Sequence, residues 1–399
     1  MDDRKYSEAS EVLYKGRKVR AGMDFNKPEV FPLFPTVSFT MNTLTEVKEA
    51  YASKYTYIRT CNPNRDVLAE VVTYLEHGED SLIFSSGMAA ISTTLFTIMK
   101  PGDHIICNRN IYGETFDVMG KLMNKFGVET DLVNFDDVQK VRDAVKPNTK
   151  LIYSEVCANP TMNIADIAAL AEIAHGNGAL LMIDNTFTTP IAIKPLDWGA
   201  DIVISSLTKF MSGHGDAISG SITTSQKLVD EIHPIRMLCG TPGDPYAAFA
   251  LMKSFQTMDL RLKKQMSNAA KLAKALEDNP YVSKVNHPSL ESFPQHALAL
   301  KQFSSKETMS GMMSFVVPED EKKFDEFLSS LHFAHYAMTL GGLHTTLVHP
   351  CTSSHSHMPD ADRRAMGITP GLFRLSVGIE EAEDLIADFT QALEVFGKS

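Results

Sequence analysis

The sequence has few cysteines, no long apolar run and no excess of positive charge, and each shortage excludes a class of protein. Its five cysteines lie far apart and form no C-x-x-C pair, which indicates free thiols in a reducing compartment rather than a disulfide framework. No apolar run reaches the ~18–20 residues needed to cross a bilayer. The polar start, MDDRKYSEAS, is unlike a signal peptide. We therefore expect a cytoplasmic protein without a membrane partner.

Positive charge is also scarce, because 38 lysines and arginines face 49 acidic residues and the formal net charge is −11 at pH 7. Proteins that bind nucleic acids usually carry a basic surface, so no nucleic-acid partner is expected. What the chain does have is size. Its 399 residues, 44% of them hydrophobic, are enough for a large core and two domains.

Short apolar segments alternate with amphipathic ones over the first two thirds of the chain. Strands are predicted for DSLIF, DHIIC, KLIYSE, ALLMIDN and DIVISS, and a helix for IADIAALAEIAHGNG between the third and fourth of these. Apolar strands separated by helices favour a mainly parallel sheet with helices on both faces. The predicted fold class is therefore α/β.

The pattern changes at both ends of this region. The first fifty residues are predicted to be irregular, because Pro28, Pro32 and Pro35 interrupt any long helix. After Pro245, the segment YAAFALMKSFQTMDLRLKKQMSNAAKLAKALED predicts one long helix or two consecutive ones. Beyond it, MMSFVV, FAHYAMTL and LFRLSVGI predict strands of a smaller sheet. We predict an N-terminal arm over 1–50, a large domain over 51–250 and a C-terminal domain over 251–399.

Three polar features follow predicted strands, where ligands collect in open parallel sheets. SSGMAA, at 85–90, opens a predicted helix whose first N–H groups can bind an anion, although small residues there are also common in packing and capping. Asp184 ends an apolar strand and needs a partner, either a helix cap, an arginine or a protonated heterocycle. Lys209 lies between Ser206 and Thr208, and a lysine near apolar or cationic groups becomes a nucleophile.

Seven segments are distinctive when taken together: YIRTCNP, SSGMAAI, GDHIICNRNIYGET, EVCANPT, IDNTF, GADIVISSLTKFMSGHGD and LFRLSVGIEEAEDLI. In this combination the chain resembles the Cys/Met-metabolism family of pyridoxal 5′-phosphate (PLP) enzymes. That family includes cystathionine γ-synthase, cystathionine γ-lyase, methionine γ-lyase and O-acetylhomoserine sulfhydrylase. The resemblance covers nearly the whole chain. It implies the aspartate-aminotransferase type of PLP fold (fold type I), with a smaller α/β C-terminal domain.

The resemblance also implies roles for individual residues. Lys209 forms the covalent bond to PLP, and Asp184 pairs with the ring nitrogen, which makes the cofactor a stronger electron sink. Tyr112 stacks on the ring and assists proton transfer to the leaving group, and Asn159 lies near the phenolic oxygen. The phosphate is held within the same chain by the backbone N–H groups of Gly87 and Met88 and by the hydroxyls of Ser206 and Thr208.

Two further residues imply an oligomer. Tyr57 and Arg59 match a tyrosine and an arginine that reach the phosphate in the neighbouring subunit, and a guanidinium can bond two phosphate oxygens at once. The site then needs at least a dimer. The family usually forms tetramers built from two such dimers, so we expect a homotetramer.

Four residues are predicted to contact the substrate. Arg374, within an otherwise apolar strand, matches the arginine that binds the α-carboxylate, and Thr339 stands where the family usually has serine. Met338 replaces the glutamate of cystathionine γ-lyases and favours an apolar or differently recognised substrate. Glu114 replaces the cysteine of methionine γ-lyases. We hypothesise that it recognises a cationic γ-substituent; the alternative is that it points to solvent or pairs with Arg109.

One cluster outside this set resembles a metal site by composition. It consists of His349, Cys351, His355 and His357. The family keeps a histidine-proline pair and a later histidine in this segment without a metal, so no metal is expected.

The function that fits this sequence best is γ-elimination from a γ-substituted L-amino acid, which gives a 2-oxo acid and ammonia. Substrates related to methionine, homocysteine or cystathionine are expected, or one with a cationic γ-substituent such as canavanine. The alternative is γ-replacement on an O-acylated homoserine, as in the sulfhydrylase or the synthase. A third class, a regulatory or binding protein on the same fold, conflicts with the intact Lys209, Asp184, Tyr112 and Arg374.

Overall fold

A seven-stranded sheet forms the centre of the computed structural model, which describes residues 7–13, 28–53, 55–356 and 358–397. Its strands are β1 Asp80–Phe84, β2 His104–Asn108, β3 Glu129–Val133, β4 Thr149–Glu155, β5 Leu180–Asp184, β6 Ile202–Ser205 and β7 Gly220–Thr224. Their order across the sheet is β1-β7-β6-β5-β4-β2-β3. β7 is antiparallel to both of its neighbours, and the other pairs are parallel. The mainly parallel sheet is as predicted.

Successive residues of the central strands enter two different hydrophobic clusters, one on each face of the sheet. In β5, Leu181 and Ile183 belong to one cluster and Met182 to the other. In β6, Val203 and Ile204 divide in the same way. Because side chains alternate across a strand, a sheet covered on both faces requires apolar residues at consecutive positions. This is why these strands are uninterrupted apolar runs in the sequence.

Helices connect the strands and cover both faces. Over the described residues they are α1 Glu8–Val12, α2 Leu44–Ser53, α3 Pro63–Glu76, α4 Gly87–Ile98, α5 Gly113–Asp117, α6 Met123–Lys125, α7 Val138–Asp143, α8 Ile167–Gly176, α9 Thr189–Ala192, α10 Gln226–Cys239, α11 Pro245–Phe255, α12 Met258–Glu277, α13 His296–Gln302, α14 Glu321–Ser330, α15 Asp360–Ala365 and α16 Ala382–Leu393. A π-helical turn, Val118–Leu122, joins α5 to α6. Among these described helices, none combines the length and the apolar character of a membrane-spanning segment.

Two strands of the large sheet were not predicted from the sequence, because their residues are mostly polar. β3, ETDLV, is an edge strand with one exposed and four half-buried residues. β7, GSITT, is fully buried, but its two threonine hydroxyls are hydrogen-bonded. The Thr223 Oγ1 lies 2.8 Å from Ser81 Oγ, and Thr224 Oγ1 donates to Asp201 O at 2.6 Å. These hydrogen bonds remove the cost of burying polar groups, so the strand needs no apolar run.

A second sheet of five strands lies in the C-terminal part of the chain. The strands are β8 Lys284–Asn286, β9 Met312–Val316, β10 His335–Tyr336, β11 Thr346–Val348 and β12 Leu372–Ser376. Their order is β10-β11-β12-β9-β8, and only the β10–β11 pair is parallel. The strand predicted over FAHYAMTL is confirmed only at His335–Tyr336. Only two of its residues pair, because the chain leaves the sheet after Tyr336 and Met338 is 67% exposed.

The helical segment between the two sheets is divided into α11 and α12, the second of the two alternatives predicted for it. The predicted boundary between 250 and 251 falls within α11 and stays a prediction.

The predicted arm includes residues 1–6 and 14–27, which lie outside the described residues. The prediction that the arm is irregular is partly wrong, since α1 lies within it and α2 begins within it. There the Glu46 N–H donates to Thr43 Oγ1 at 3.1 Å, and the Glu46 carboxylate accepts from Asn42 N, a capping arrangement that starts the helix.

A buried carboxyl group lies between α3 and the ends of β5 and β6. Glu76, the last residue of α3, is 1% exposed. Asn185 Nδ2 donates to its two oxygens at 3.3 and 3.2 Å, and Ser205 Oγ donates at 3.4 Å. Burial raises the pKa of Glu76 to about 8, against the hydrogen bond from Asn185. The neutral acid is therefore favoured at neutral pH.

Candidate active site

A pocket of about 550 Å³ opens where β4, β5 and β6 end and α4 begins. This is the edge of a parallel sheet at which ligands bind. All predicted site residues except Tyr57 and Arg59 line it. They are Gly87, Met88, Tyr112, Glu114, Asn159, Asp184, Ser206, Thr208, Lys209, Met338, Thr339 and Arg374. Residues that the sequence places up to 287 positions apart thus meet at one site, here Gly87 and Arg374.

One end of the pocket is suited to an anion. Ser86 caps α4 by accepting from Ala89 N at 3.0 Å, so that the first N–H groups of this twelve-residue helix face the pocket end. A Cβ at Gly87 would lie 2.9 Å from Ser206 Cβ, and one at Gly220 would lie 2.6 Å from Gly87 N. Only glycine fits at either position. Because glycine has no side chain, the backbone of Gly87 is not covered on the side that faces the pocket.

The hydroxyls predicted to bind phosphate are held differently from one another. Thr208 Oγ1 accepts from Ser219 N at 3.0 Å and donates to Ser219 O at 3.1 Å, so the adjacent backbone fixes its position. Ser206 is fixed through its backbone, which donates to Thr186 Oγ1 at 2.8 Å. Both residues therefore present their side chains from a rigid wall.

Lys209 lies in the turn that follows β6. Its backbone N donates to Ser206 O at 3.2 Å, and its carbonyl accepts from Gly213 N at 2.8 Å. Burial lowers the pKa of Lys209, and the Arg374 guanidinium lowers it further, whereas Glu114 opposes the change. Among the described residues, no carboxylate lies within 4.0 Å of its amine. The neutral, nucleophilic amine is thus easier to reach than in a solvent-exposed lysine.

Asp184 ends β5, next to Glu155 on β4. Its Oδ1 accepts from Thr186 N at 2.8 Å, which fixes the carboxyl group. Burial raises the pKa of Asp184, and the hydrogen bonds from Thr186 oppose that change. A cationic N–H donor in the pocket would reverse the balance and stabilise the ionised carboxylate.

Arg374 enters the pocket from β12 of the small sheet and is 7% exposed. Its Nη1 donates to Asn159 Oδ1 at 3.0 Å, and its Nε is buried without a hydrogen-bond partner among the described residues. Burial lowers the pKa of Arg374 to about 10, partly offset by Glu155. A buried guanidinium with a free donor is suited to bind a carboxylate at two points.

Glu155 belongs to the site although it was not among the predicted site residues. Its Oε1 accepts from Tyr112 N at 2.7 Å, so this buried carboxyl group positions the loop that carries Tyr112. Burial raises the pKa of Glu155 well above its ordinary value, and the nearby Asp184 adds to the effect. The sequence carried one signal, a glutamate at the end of a predicted strand, four residues before Asn159.

The outer part of the pocket is acidic on one side and apolar on the other. Glu114 and Asp117 lie one helical turn apart on α5, and both line the pocket. Burial raises the pKa of Tyr112 to about 12, and a hydrogen bond with Glu114 adds to the rise. Asp117 Oδ1 lies 2.8 Å from Lys121 Nζ. Among the described ion pairs none joins Glu114 to Arg109, so that part of the alternative is not observed, whereas the exposure of Glu114 agrees with the other part, a side chain that points to solvent.

The loop that carries Met338 and Thr339 packs against the turn that carries Lys209. Gly341 has φ +80°, and a Cβ there would lie 2.4 Å from Phe210 N. Its own N–H donates to Ser376 Oγ at 2.7 Å. The loop and the lysine are therefore held in contact through a position that requires glycine.

Tyr57 and Arg59 lie outside the pocket of their own chain. Arg59 Nη1 donates to Met237 O at 2.9 Å, and the guanidinium lies 5.8 Å from the centre of the Tyr57 ring. Tyr57 is 44% exposed. Their predicted contribution to a neighbouring subunit stays a prediction.

The histidine-rich segment is used in backbone contacts. His349 Nε2 lies 2.6 Å from Pro370 O, and its Nδ1 lies 3.0 Å from Thr352 Oγ1. Cys351 Sγ donates to Thr369 O at 3.3 Å. His357 lies outside the described residues, and the described ones contain no group of three or more side chains arranged to hold a metal ion.

The pocket fits PLP in its donor set. It offers a lysine amine of lowered pKa, a buried carboxyl group at the neighbouring strand end, and a glycine cradle at a helix N-terminus for the phosphate. Together with the two sheets, this arrangement defines a PLP-dependent enzyme of fold type I.

The sequence pattern described as Cys/Met metabolism PLP-dependent enzyme matches residues 16–394, and the chain belongs to that family. It is 35% identical over 396 residues to an L-methionine gamma-lyase from Treponema denticola, covering 97% of this chain and 98% of the relative. It is 39% identical over 357 residues to a cystathionine gamma-lyase from Bacillus subtilis, covering 89% and 93%. The predicted family, fold type, cofactor and enzyme class are confirmed.

A solved structure extends the similarity to the whole fold. The cystathionine gamma synthase from Xanthomonas oryzae pv. oryzae, in complex with aminoacrylate and cysteine, superposes with a TM-score of 0.92 at 31% identity, covering 99% of both chains. Lyases and a synthase therefore share this fold with the chain. The choice between elimination and replacement cannot follow from the fold alone.

Proposed function

We propose that the chain is a γ-elimination lyase that converts a γ-substituted L-amino acid to a 2-oxo acid and ammonia. The observation that supports this most directly is the meeting of Lys209, Tyr112 and Arg374 around one pocket. They form a base, an acid and a carboxylate-binding group. The two relatives named above are lyases, which favours elimination over replacement.

Each of these residues has a distinct task. Bound PLP supplies the electron withdrawal that makes the substrate's Cα and Cβ protons acidic. Arg374 holds the α-carboxylate and so points the substrate's other end towards the mouth of the pocket. Lys209 Nζ removes the Cα proton, for which its lowered pKa is suited. The Tyr112 hydroxyl, whose raised pKa keeps it protonated, donates a proton to the departing γ-group.

The γ-substituent lies, in this proposal, between Met338 and the acidic side of the mouth. Substrates related to methionine, homocysteine or cystathionine suit the apolar side. Glu114 and Asp117 favour a positive charge at the γ-substituent, as in canavanine. Glu114 lacks an ion pair within 4.0 Å among the described residues, and its hydrogen bond with Tyr112 does not neutralise the carboxylate, so its charge can attract a cation.

The reaction is tested by measuring 2-oxobutanoate released from methionine, homocysteine, cystathionine, O-acetylhomoserine and canavanine, with and without added sulfide or cysteine. Release that needs no added thiol supports elimination. If O-acetylhomoserine gives homocysteine with sulfide or cystathionine with cysteine, while no 2-oxobutanoate forms without them, this proposal is replaced by γ-replacement, the alternative that the structural similarity to a synthase favours.

We also propose a homotetramer, a dimer of dimers, in which Tyr57 and Arg59 complete the neighbouring subunit's site. The exposure of Tyr57 and the absence of both residues from their own pocket support it. Mixing Arg59→Ala with Lys209→Ala subunits, each inactive alone, tests it. Random exchange leaves one intact site in half of the dimers, so about one quarter of wild-type activity should return. No recovery after exchange would contradict the shared site.

A cytoplasmic location is the remaining part of the proposal. The five cysteines are free thiols, as expected in a reducing compartment. Fractionation of the cells that make the protein, followed by immunodetection, checks this directly.

A further inference from the structure

α12 carries a buried polar stripe. Arg261, Gln265 and Asn268, spaced four and three residues apart, lie on one side of this twenty-residue helix and are 6%, 0% and 1% exposed. Around them, the buried face is apolar. Polar side chains at such positions are costly unless every donor is used. Their contacts are therefore informative.

Arg261 contacts the turn that carries Lys209. Its Nη1 donates to Phe210 O at 3.2 Å, and its Nη2 donates to Met211 O at 3.1 Å. These are the two residues that directly follow the lysine. A Cβ at Gly213 would lie 1.8 Å from Nη1, so the guanidinium occupies the space beside the turn. Arg261 fixes the chain on the C-terminal side of Lys209.

Gln265 contacts both segments that carry substrate-binding residues. Its Nε2 donates to Gly342 O at 2.8 Å, in the loop of Met338 and Thr339. The same nitrogen donates to Val377 O at 3.2 Å, just after the strand of Arg374. Its Oε1 is buried without a hydrogen-bond partner among the described residues. Because Oε1 accepts no hydrogen bond there, the two bonds that Nε2 donates determine the orientation of the Gln265 amide.

Asn268 extends the stripe by one turn. Its Nδ2 donates to Gly378 O at 3.1 Å and to Glu380 O at 2.6 Å, in the segment that follows β12. Outside α12 itself the acceptors are backbone carbonyls, and Arg261 Nε also donates to Thr257 Oγ1, at the start of the helix, at 3.4 Å. α12 therefore holds the backbone of three chain segments through their carbonyl groups, which are present whatever side chains those segments carry.

We propose that Arg261, Gln265 and Asn268 are positioning residues that set Lys209, the Met338–Thr339 loop and Arg374 in register with one another. An apolar stripe would pack this face at less cost, whereas directional hydrogen bonds fix one arrangement of the three segments. The proposed base, Lys209, follows a strand of the large sheet, and the proposed carboxylate-binding residue, Arg374, lies in the small sheet. Their separation must match the substrate, and α12 bonds to both segments through a single side-chain row. This inference rests on the proposed roles of Lys209 and Arg374.

Gln265→Met tests it, because methionine keeps the length of the side chain and loses the donor. The matched control is Gln302→Met. Gln302 is also a buried amide, 3% exposed, that bonds backbone groups, Ile167 N and Ala165 O, away from the pocket. The readouts are thermal unfolding of the apoprotein, PLP retention, and the dissociation constant of L-2-aminobutanoate, which has no γ-leaving group.

Both variants should lose thermal stability. Only Gln265→Met should bind L-2-aminobutanoate about tenfold more weakly, a change of about 1.4 kcal/mol, with PLP retained. Equal affinities in the two variants would overturn the proposal. If Gln265→Met does not fold, Gln265→Asn provides the same comparison with a donor that is too short. Since binding is measured without elimination, a failure of the proposed reaction leaves this result unaffected.

Arg261 needs a different measurement, because it contacts the turn of Lys209 rather than the segment of Arg374. Arg261→Met should move the pH midpoint of the visible absorbance of the PLP-bound enzyme and leave the affinity for L-2-aminobutanoate nearly unchanged. Arg261→Lys, which keeps one donor, should restore part of the shift. An unmoved midpoint in Arg261→Met would remove Arg261 from the proposal.

Discussion

The inner region of the pocket (Gly87, Asp184 and Lys209) and its rim (Glu114, Asp117 and Met338) are built in opposite ways. Inner residues stand at strand ends or at the start of a long helix, and neighbouring backbone groups bond to them. The rim residues stand on a five-residue helix and on a loop, and Met338 is 67% exposed. The residues proposed to carry the chemistry that all substrates share are thus held by backbone contacts, whereas those proposed to distinguish substrates lie on a short helix and a loop.

Removing the lysine amine should have the largest effect. Lys209→Ala is expected to abolish the visible absorbance of the PLP-bound enzyme and to lower kcat by about 10⁴-fold or more, because both the covalent attachment and the base are lost. Spectra and 2-oxobutanoate assays measure this. Thermal unfolding of the apoprotein should change little, since burying a lysine gives no stability. Appreciable residual turnover would show that the inner region is less essential than its rigidity suggests.

Arg374→Met should be the next most severe change. Losing the carboxylate partner is expected to lower kcat/KM by about 10²–10³-fold, within the range for breaking a buried charge pair. The loss should appear for every amino acid of the panel, because all share the α-carboxylate. A loss confined to some substrates would mean that Arg374 acts at the rim.

The stability of the large domain should also depend on pH through Glu76, which is buried behind the ends of β5 and β6. Its pKa is raised from 4.5 to about 8, so the neutral acid is favoured in the folded state while the unfolded chain ionises at lower pH. The free energy of unfolding of the apoprotein should therefore fall by a few kcal/mol between about pH 4.5 and pH 8. Denaturant titrations of wild type and Glu76→Gln at several pH values measure this. The two curves should converge at acid pH, and parallel curves would contradict the buried neutral acid.

Gly341→Ala should loosen the contact between rim and inner region. The added methyl group meets Phe210 N at 2.4 Å in a left-handed conformation, a strain of about 1–3 kcal/mol. We expect weaker PLP retention, measured by dialysis and absorbance, together with a higher KM. Gly342→Ala is the matched control, since a Cβ there meets nothing within 4 Å. Similar losses in both variants would mean that the loop, rather than its contact with the lysine turn, is sensitive.

Glu114→Gln should have the smallest and most selective effect. Partly exposed charge pairs contribute about 1 kcal/mol or less, so the ratio of kcat/KM for canavanine to that for methionine should fall about threefold to fivefold. Asp117→Asn serves as the comparison, because Lys121 already pairs with that carboxylate. An unchanged ratio in Glu114→Gln would rule out recognition of a cationic substituent at this position.

The sequence predicts the inner region better than the rim. Asp184 and Lys209 follow apolar strands, and parallel strands bring their carboxyl ends together, so their meeting follows from the pattern. Asp117 carries no such signal, because its approach to the pocket depends on how a short helix and a π-helical turn are oriented. β7 also escaped prediction, since its buried residues are small and hydroxylated.

The polar stripe on α12 is beyond prediction for another reason. Gln265 reaches carbonyls 77 and 112 residues further along the chain. Backbone carbonyls are the same at every position, so no pairing of residue types indicates these contacts. A glutamine and an asparagine in a helix look, in sequence, like ordinary exposed residues, although here both are buried.

The bonding of Gln265 and Asn268 to backbone carbonyls has a practical consequence for redesign. Substitutions at 114, 117, 338 and 339 leave the acceptors of Gln265 and Asn268 in place, because a carbonyl survives any change of side chain. A combinatorial library at these four positions should therefore explore new leaving groups without dismantling the catalytic frame. Directed evolution of this scaffold would start there and leave the helix untouched.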